Sequence, residues 1–218
     1  MEQKHNRVPS ADRRQQIIDI AMRLFAKNGF RGTTTREIAK LAHVNEAILF
    51  RHFRYKEDLY WAVVESGCRK GRSHQEFREM LNEAEPREAL TAVAEEFLVR
   101  LRKDPSMMRL YLFTALENHK LSYRLFRTHA LRYHEILADY IRTRIRRGEF
   151  RRVDPRLAAR SFLGMISQHY QVHELFGAKR FQRFDPHRVS EALTDIWLGG
   201  LGARNGNRSR KRQGRNHR

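Results

Sequence analysis

The stretch TTTREIAKLAHVNEAILFRHFRYKEDLY, residues 33–60, places two short helical patterns on either side of a tight interruption. Thr34 and Glu37 have the spacing of a capping box, in which each side chain satisfies a backbone donor of the other residue. A helix is therefore predicted to begin there and to end at the break around His43. Asn45 is then placed to cap a second short helix. The sequence predicts two helices joined by a turn of a few residues.

An amphipathic helix precedes this pair and supplies the third part of a small core. Its apolar residues recur at helical spacing from Ile17 to Phe25, and Asn28-Gly29 ends the run. Helices this short are unstable alone, so all three must bury their apolar faces against one another. The predicted core consists of Leu24, Phe25, Ile38, Leu41, Val44, Leu49 and Phe53. This arrangement is a helix-turn-helix, whose second helix enters the major groove of DNA.

Residues 13–60 resemble the N-terminal module of the TetR family of transcriptional regulators. The match runs from the glycine after the first helix through T-T-x-R-x-I-A to L-[YF]-x-[HY]-F-x-x-K, and many positions agree in order. The later stretch GEFRRVDPRLAARSFLGM, residues 148–165, is similar to many family members entering their eighth helix. The resemblance implies a dimeric, sequence-specific DNA-binding regulator, typically a repressor that a small-molecule effector releases from its operator.

The resemblance also implies a set of DNA contacts. Thr34 and Thr35 are expected to contact phosphate, where the helix dipole and free N–H groups favour an anion. Arg36 is expected to reach a base edge or a phosphate. The expected DNA-binding residues are Thr34, Thr35, Arg36, Asn45, Glu46, Ala47, Ile48, Phe50, His52 and Lys56.

Several positions depart from the family pattern or add chemistry to it. His43 stands where a glycine is common, so either this residue adopts the backbone conformation of the turn or the turn differs. Phe50 replaces a tyrosine and lacks its hydroxyl, so we expect it to pack against sugar and helix. Ile48 replaces a threonine and is placed to contact a thymine methyl, while Glu46 is placed to accept a hydrogen bond from cytosine N4.

The rest of the chain is also predicted to be helical, because its prolines follow capping residues and no stretch alternates with a period of two. The fold class is all-α: an N-terminal three-helix helix-turn-helix module joined to a larger helical ligand-binding and dimerisation domain. About nine helices are predicted, at 11–28, 34–42, 46–52, 56–80, 86–103, 105–117, 122–147, 155–176 and 186–201. The predicted domains are a flexible N-terminus (1–9), the helix-turn-helix domain (10–56), the effector-binding and dimerisation domain (57–201) and a disordered basic tail (202–218).

The larger domain carries more apolar residues than one buried face requires. Helix 155–176 shows two apolar stripes, one for its own core and one for a partner subunit. With helix 186–201 it resembles the family's four-helix dimer interface, so we expect a homodimer on a palindromic operator, with recognition helices ~34 Å apart. The expected interface residues are Phe162, Ile166, Tyr170, His173, Leu193, Ile196 and Trp197.

Aromatic and methionine side chains of several helices either fill the core or line a cavity. The family resemblance implies a cavity for a small apolar or amphipathic effector. The expected pocket residues are Phe97, Leu101, Met108, Tyr111, Phe126, Tyr133, Met165 and His169.

The net charge of +19 favours a polyanionic partner, a requirement that nucleic acid and an anionic membrane surface both satisfy. No apolar run approaches the ~20 residues that a membrane span needs, and no signal-peptide core is evident, so we expect a cytoplasmic protein with no membrane partner. Residues 202–218 hold seven basic side chains and no acidic one. These charges either add non-specific affinity for DNA or remain solvated.

Two other functions fit parts of the sequence. The charge permits a nucleoid-type protein that coats DNA without preference for an operator. His169 and His173, four residues apart, suggest a small metal-dependent enzyme, but no H-E-x-x-H pattern or third ligand accompanies them. Cys68 is the only cysteine, which excludes an internal disulfide and a cysteine-rich zinc site, and we expect it to be a small buried or half-buried side chain. We therefore expect no catalytic residue, no metal and no cofactor.

Overall fold

The computed structural model describes residues 10–117 and 120–201, and every regular element among them is helical. The all-α prediction is thereby confirmed, whereas the predicted N-terminal segment and basic tail lie outside the described residues. The α-helices are α1 (Ser10–Asn28), α2 (Thr35–Leu41), α3 (Glu46–His52), α4 (Lys56–Arg69), α5 (His74–Asn82), α6 (Pro86–Lys103), α7 (Ser106–Leu116), α8 (Lys120–Leu125), α9 (Leu131–Arg146), α10 (Pro155–Tyr170) and α11 (Pro186–Leu201). Two π-helical turns (Phe126–Ala130 and Gln171–Leu175) and a 3₁₀ turn (Ala178–Arg180) complete the set.

The structure divides two of the predicted helices, so the described residues form eleven α-helices rather than about nine. The predicted helix 56–80 is two helices, α4 and α5, because the amide of Gly71 donates to the carbonyl of Cys68 and closes the last turn of α4. A π-helical turn separates α8 from α9 within the predicted helix 122–147, and another ends the predicted helix 155–176. Cys68 itself is half-buried, in agreement with the prediction.

The described residues form two compact units: residues up to Ser73 together with Arg100–Leu131, and His74–Val99 together with residues 132–201. The core of the first unit is shared by α1, α2, α3 and α4 with Leu110 of α7 and two leucines of α8. The units do not divide the chain at residue 57, where the sequence predicts a domain boundary, because α4 packs directly on α1.

An aromatic cluster joins three helices in the first unit. Phe25 of α1 stacks on Phe30 with 5.8 Å between ring centroids, and Tyr60 of α4 packs edge-on against both at 5.3 Å. The Tyr60 hydroxyl hydrogen-bonds to that of Thr114 on α7. Burial raises the pKa of Tyr60 to about 12, against the opposing effect of that hydrogen bond. A neutral phenol therefore ties α7 to the core of α1 and α4 at physiological pH.

In the second unit, Trp197 of α11 joins two helices through its ring and one hydrogen-bond donor. Its ring packs against those of Phe150 and Phe162, with centroid distances of 6.0 and 5.1 Å. Its indole N–H donates towards the carbonyl of Ala158 and the hydroxyl of Ser161, both on α10, at 3.2 and 3.0 Å. This side chain satisfies its one donor while it joins α10 to α11.

The turn between α2 and α3 is a Schellman motif. The amide of His43 donates to the carbonyl of Lys40 at 3.2 Å, and the amide of Val44 donates to that of Ala39 at 3.0 Å. His43 has a φ of 53° and is the only described non-glycine residue with a positive φ. Of the two alternatives that the sequence left open, the structure selects the first: the histidine adopts the conformation that glycine commonly supplies.

Replacing His43 with glycine is expected to raise the free energy of unfolding by about 0.5–1 kcal/mol. The left-handed conformation costs a residue with a side chain about 1–2 kcal/mol, and the greater chain entropy of an unfolded glycine cancels part of that gain. His43→Val is expected to lower stability, because a β-branched residue tolerates a positive φ poorly. Urea denaturation followed by helical circular dichroism measures all three proteins, and a glycine variant less stable than the parent would contradict the expectation.

Candidate nucleic-acid interface

The first turn of α2 presents three polar side chains. Thr34 is the N-cap, and its hydroxyl accepts a hydrogen bond from the amide of Glu37 at 3.1 Å, which is one of the two bonds of the predicted capping box. Arg36 is exposed. Thr35 is half-buried, and its hydroxyl donates to Oε1 of Glu46, 2.7 Å away at the start of α3. Sequence reasoning missed this last bond, because no motif couples two residues eleven positions apart in different helices.

The first turn of α3 is capped, as predicted, by Asn45. Its side-chain oxygen accepts from the amide of Ile48 at 2.8 Å. Ala47 and Phe50 are exposed, Phe50 by 44% of its surface, and Ile48 is half-buried. Leu49 is fully buried in the core of the first unit. The helix is therefore anchored by Leu49 and leaves the predicted DNA-contact residues accessible.

Five exposed cations lie along the segment that contains both helices: Arg31, Arg36, Lys40, Arg51 and Arg54. None of them pairs with a carboxylate of the described chain. His52 is half-buried, with its ring centroid 6.3 Å from that of Phe53. Because unpaired surface cations neutralise phosphates, the segment meets the electrostatic requirement of DNA binding.

Lys56 differs from the freely exposed cations. It is half-buried at the start of α4, where its ammonium donates to the carbonyl of Phe30 and lies 4.3 Å from the ring centroid of that residue. Burial lowers the pKa of Lys56, and the charges of Glu57 and Glu117 oppose this effect. The side chain therefore fastens α4 to the turn between α1 and α2.

Arg109 of α7 and Glu117, which follows the last residue of α7, bind backbone groups at the end of α1 and in the turn after it. Nε of Arg109 donates to the carbonyl of Ala26 in the last turn of α1, at 2.7 Å. Both carboxylate oxygens of Glu117 accept from the amide of Arg31, at 3.3 Å each. Gly29, with a φ of 76°, makes the approach possible, because a Cβ at this position would lie 2.2 Å from Oε1 of Glu117. No sequence spacing signals these contacts, which join residues more than 80 positions apart.

The eight predicted pocket residues fall in both compact units. Leu101, Met108, Tyr111 and Phe126 belong to the first, and Phe97, Tyr133, Met165 and His169 to the second. Leu101 is buried and the other seven are half-buried. Burial raises the pKa of the Tyr111 phenol. Half-buried aromatic and methionine groups suit an apolar ligand, and the pocket itself stays a prediction.

His169 and His173 stack on one another, with 5.4 Å between ring centroids. Both lie near the ring of Phe184, at 6.1 and 6.3 Å. Nδ1 of His173 is 3.3 Å from Oε1 of Glu174. Burial and, next, the charge of His173 lower the pKa of His169, so this imidazole is neutral at pH 7. Across residues 10–117 and 120–201, no group of three or more His, Cys, Asp or Glu side chains is arranged to hold a metal ion.

The structure corrects four of the seven predicted dimer-interface residues. Those four are Phe162, Ile166, Tyr170 and Trp197. Their exposed fractions are 0%, 0%, 2% and 6% within a single chain, so they have almost no surface left to bury against a partner. Of the other three, His173 and Leu193 are half-buried and Ile196 is 66% exposed. Helical periodicity identifies apolar stripes on α10, but it does not determine which stripe faces the core.

Comparison with known proteins agrees with this geometry. The model for bacterial regulatory proteins of the tetR family matches residues 17–63, from α1 into α4. The model for the C-terminal domain of AefR-like transcriptional repressors matches residues 88–199, just over half of the chain. The chain belongs to the TetR family of transcriptional regulators.

Individual TetR-family relatives match the chain over most of its length. An uncharacterized HTH-type regulator of Bacillus subtilis, YvkB, is 28% identical over 202 residues, which cover 87% of this chain and 97% of that protein. The structure of FadR from Bacillus subtilis in complex with stearoyl-CoA has a TM-score of 0.67 at 24% identity and covers 85% of this chain and 98% of its own. AibR in complex with isovaleryl coenzyme A and operator DNA has a TM-score of 0.65 at 23% identity, with coverage of 84% and 97%. The last two show that the fold is shared.

As a TetR-family member, the protein is a helix-turn-helix DNA-binding regulator, and the family consists of regulators rather than enzymes. Across the described helices, none combines the length and the apolar character that crossing a membrane requires.

Lys56→Met is expected to lower the free energy of unfolding by about 1–2 kcal/mol, because the carbonyl of Phe30 loses its donor and the ring loses a cation. Lys40→Met is the matched control: Lys40 is exposed on α2, and its loss should change stability by less than about 0.5 kcal/mol. Chemical denaturation measures both. A Lys56 variant with unchanged stability, but with a slope of log affinity against log salt reduced by about 0.9, would instead assign the residue to a phosphate.

Proposed function

We propose that this TetR-family regulator is a cytoplasmic repressor that binds a palindromic operator as a homodimer and is released by a small-molecule effector. The observation that carries the proposal is the pair of capped helices α2 and α3, whose first turns are accessible and accompanied by five unpaired cations. Two copies of α3 spaced by ~34 Å would enter successive major grooves. Such a function requires neither a catalytic residue nor a cofactor.

In this proposal the exposed residues divide into two roles. Phosphates are held by the start of α2, by His52 and by the surrounding cations, and these contacts set position and affinity. Base edges are read by Arg36 and by the first turn of α3, where Ile48 is the apolar contact for a thymine methyl. Phe50 packs on sugar, since it has no hydroxyl to donate. Lys56 supports the surface from behind by fixing the turn between α1 and α2.

The relatives support a repressor with an apolar or amphipathic effector. The C-terminal model that matches this chain is named for a repressor, and FadR and AibR of the same fold bind acyl-CoA molecules. An effector that fits one dimer state better than the other would shift the population towards that state and reduce affinity for the operator.

Within the first unit, α7 offers a physical route from effector to DNA. It carries two predicted pocket residues, Met108 and Tyr111, and it also holds the turn before α2 through Arg109 and Glu117. A ligand that displaces α7 would therefore displace the start of α2 as well. This route needs no further contact, because Arg109 lies on the same helix as the pocket residues and Glu117 directly follows its last residue.

Operator binding is tested by fluorescence anisotropy at ~150 mM salt, because affinities without a stated salt concentration are uninterpretable. The full chain and a chain truncated after residue 202 are each measured against DNA from upstream of the gene and against scrambled DNA. We expect both proteins to prefer the upstream DNA, and we expect truncation to reduce affinity for both DNAs. Arg36→Ala is expected to weaken specific binding by about 1–3 kcal/mol. Arg183→Ala, which removes an exposed arginine of the second unit, is the control.

Two outcomes would contradict the proposal. Equal affinity for upstream and scrambled DNA, followed by loss of binding on truncation, would favour the nucleoid-type alternative on that DNA. Equal losses for Arg36→Ala and Arg183→Ala would show that charge alone, and not the predicted reading surface, determines binding.

The side chains that stay exposed in the single chain define an accessible face on α10 and α11, which a partner subunit could cover. Ile196 is 66% exposed and Leu157 is 64% exposed. A Cβ added at Gly164, Gly199 or Gly200 would meet nothing within 4 Å, so a partner helix has room to approach closely. We propose that this face forms the four-helix contact, with Leu193 and Ile196 of the predicted interface and with His173 from the π-helical turn that follows α10.

Ile196→Arg is expected to weaken the dimer at least tenfold, because it places a charge in a contact that excludes water. Leu116→Arg is the matched control, since Leu116 is 82% exposed at the end of α7 in the first unit. Sedimentation velocity over a dilution series measures both variants. An Ile196 variant that remains as dimeric as the control would place the interface elsewhere.

A further inference from the structure

A carboxylate stands at the start of the proposed recognition helix, where DNA phosphates would repel it. Glu46 is the first residue of α3, and its Oε1 accepts the hydroxyl proton of Thr35 at 2.7 Å. Both residues are half-buried. Its Oε2 accepts no hydrogen bond from the described part of the chain. One oxygen is therefore fixed by α2 while the other remains available to a donor outside the protein.

Few groups of DNA can meet a carboxylate favourably. In the major groove, guanine offers N7 and O6, and thymine offers O4, all of which are acceptors. Only the exocyclic amino groups, N4 of cytosine and N6 of adenine, can donate to Glu46. A carboxylate at this position thus attracts two bases and repels the other two, and the repulsion is strengthened once water is excluded.

The hydroxyl of Thr35 has a single proton, so it cannot donate to Glu46 and to a phosphate at the same time. The phosphate role implied by the family resemblance and the observed bond to Glu46 are therefore alternatives. The observed bond also limits the rotamers of a long side chain, so less conformational entropy is lost when Glu46 meets a base.

We propose that Thr35 is a positioning residue that directs Glu46 at the exocyclic amino group of one operator base, with cytosine as the first candidate and adenine as the second. This inference rests on the proposed function, since it requires α3 to lie in the major groove. It assigns Thr35 to base selection, whereas the neighbouring Thr34 caps the helix with its hydroxyl.

The experiment begins with selection of preferred sites from random DNA by the full-length protein. Each position of the selected site is then changed to all four bases, and dissociation constants are measured by anisotropy at one salt concentration. The proteins are the parent, Glu46→Ala, Thr35→Val and Thr35→Ser. Valine matches threonine in shape but cannot donate, and serine keeps the hydroxyl. Thermal unfolding of each protein verifies that it is folded.

At one position the parent is expected to prefer cytosine or adenine over guanine and thymine by about 5- to 100-fold. Glu46→Ala should abolish that preference, Thr35→Val should reduce it severalfold at the same position, and Thr35→Ser should keep it. The four-base series also shows which of the two amino groups is read.

Equal loss of affinity for all four bases in Thr35→Val would overturn the inference and return Thr35 to a phosphate contact. An unchanged preference in Glu46→Ala would overturn it as well. Failure of the proposed function looks different, because random DNA would then yield no preferred site for the parent protein.

Discussion

The proposed DNA-binding surface depends on a constraint of size: α2 and α3 have seven residues each, too few to be stable without tertiary support. Their position comes from the core that they share with α1 and α4, to which Ile38, Ala39 and Leu49 contribute fully buried side chains. The Schellman turn at His43 then sets the angle between them. Because all the support lies on one side, the opposite side of both helices stays accessible, with polar residues such as Arg36 and Lys40 beside the exposed ring of Phe50.

The turn between α1 and α2 receives the same kind of support from residues distant in the chain. Lys56 binds the carbonyl of Phe30, Arg109 binds that of Ala26, and Glu117 binds the amide of Arg31. These bonds satisfy backbone groups that a helix end and a tight turn would otherwise leave unpaired. Since the turn leads directly into α2, a displacement of α7 would reach the proposed DNA-binding surface without passing through the apolar core.

The local features of the fold were predictable because they are encoded by neighbouring residues. Caps at Thr34 and Asn45 lie three positions from the amides that they bind, and such spacings are visible in a sequence. The end of α4 is not predicted, because residues 69–76 contain no proline and only one glycine, Gly71. A single glycine lowers helix propensity by only about 1 kcal/mol, which does not fix a helix end. The sequence does not predict which stripe of α10 faces the core, because both stripes are apolar.

In the candidate site, too, the sequence predicts local features but not the contacts between separate helices. Sequence resemblance predicts which residues reach DNA, because the family pattern is ordered and dense in residues 33–56. It does not show how those residues contact one another. The bond between Thr35 and Glu46 and the half-buried state of Lys56 are visible only in the structure. Interactions between separate helices depend on distances that no linear spacing records.

A net charge of +19 creates a specific difficulty for a regulator. Cations attract every DNA sequence equally, and a genome offers far more non-specific sites than operators. Discrimination therefore depends on groups that penalise wrong sequences more than on groups that add attraction. A carboxylate at the start of α3, the proposed recognition helix, is such a group, since its cost is offset only where a base supplies a proton donor. In a strongly cationic chain, an acidic residue that reduces general affinity can thus increase the specificity of binding.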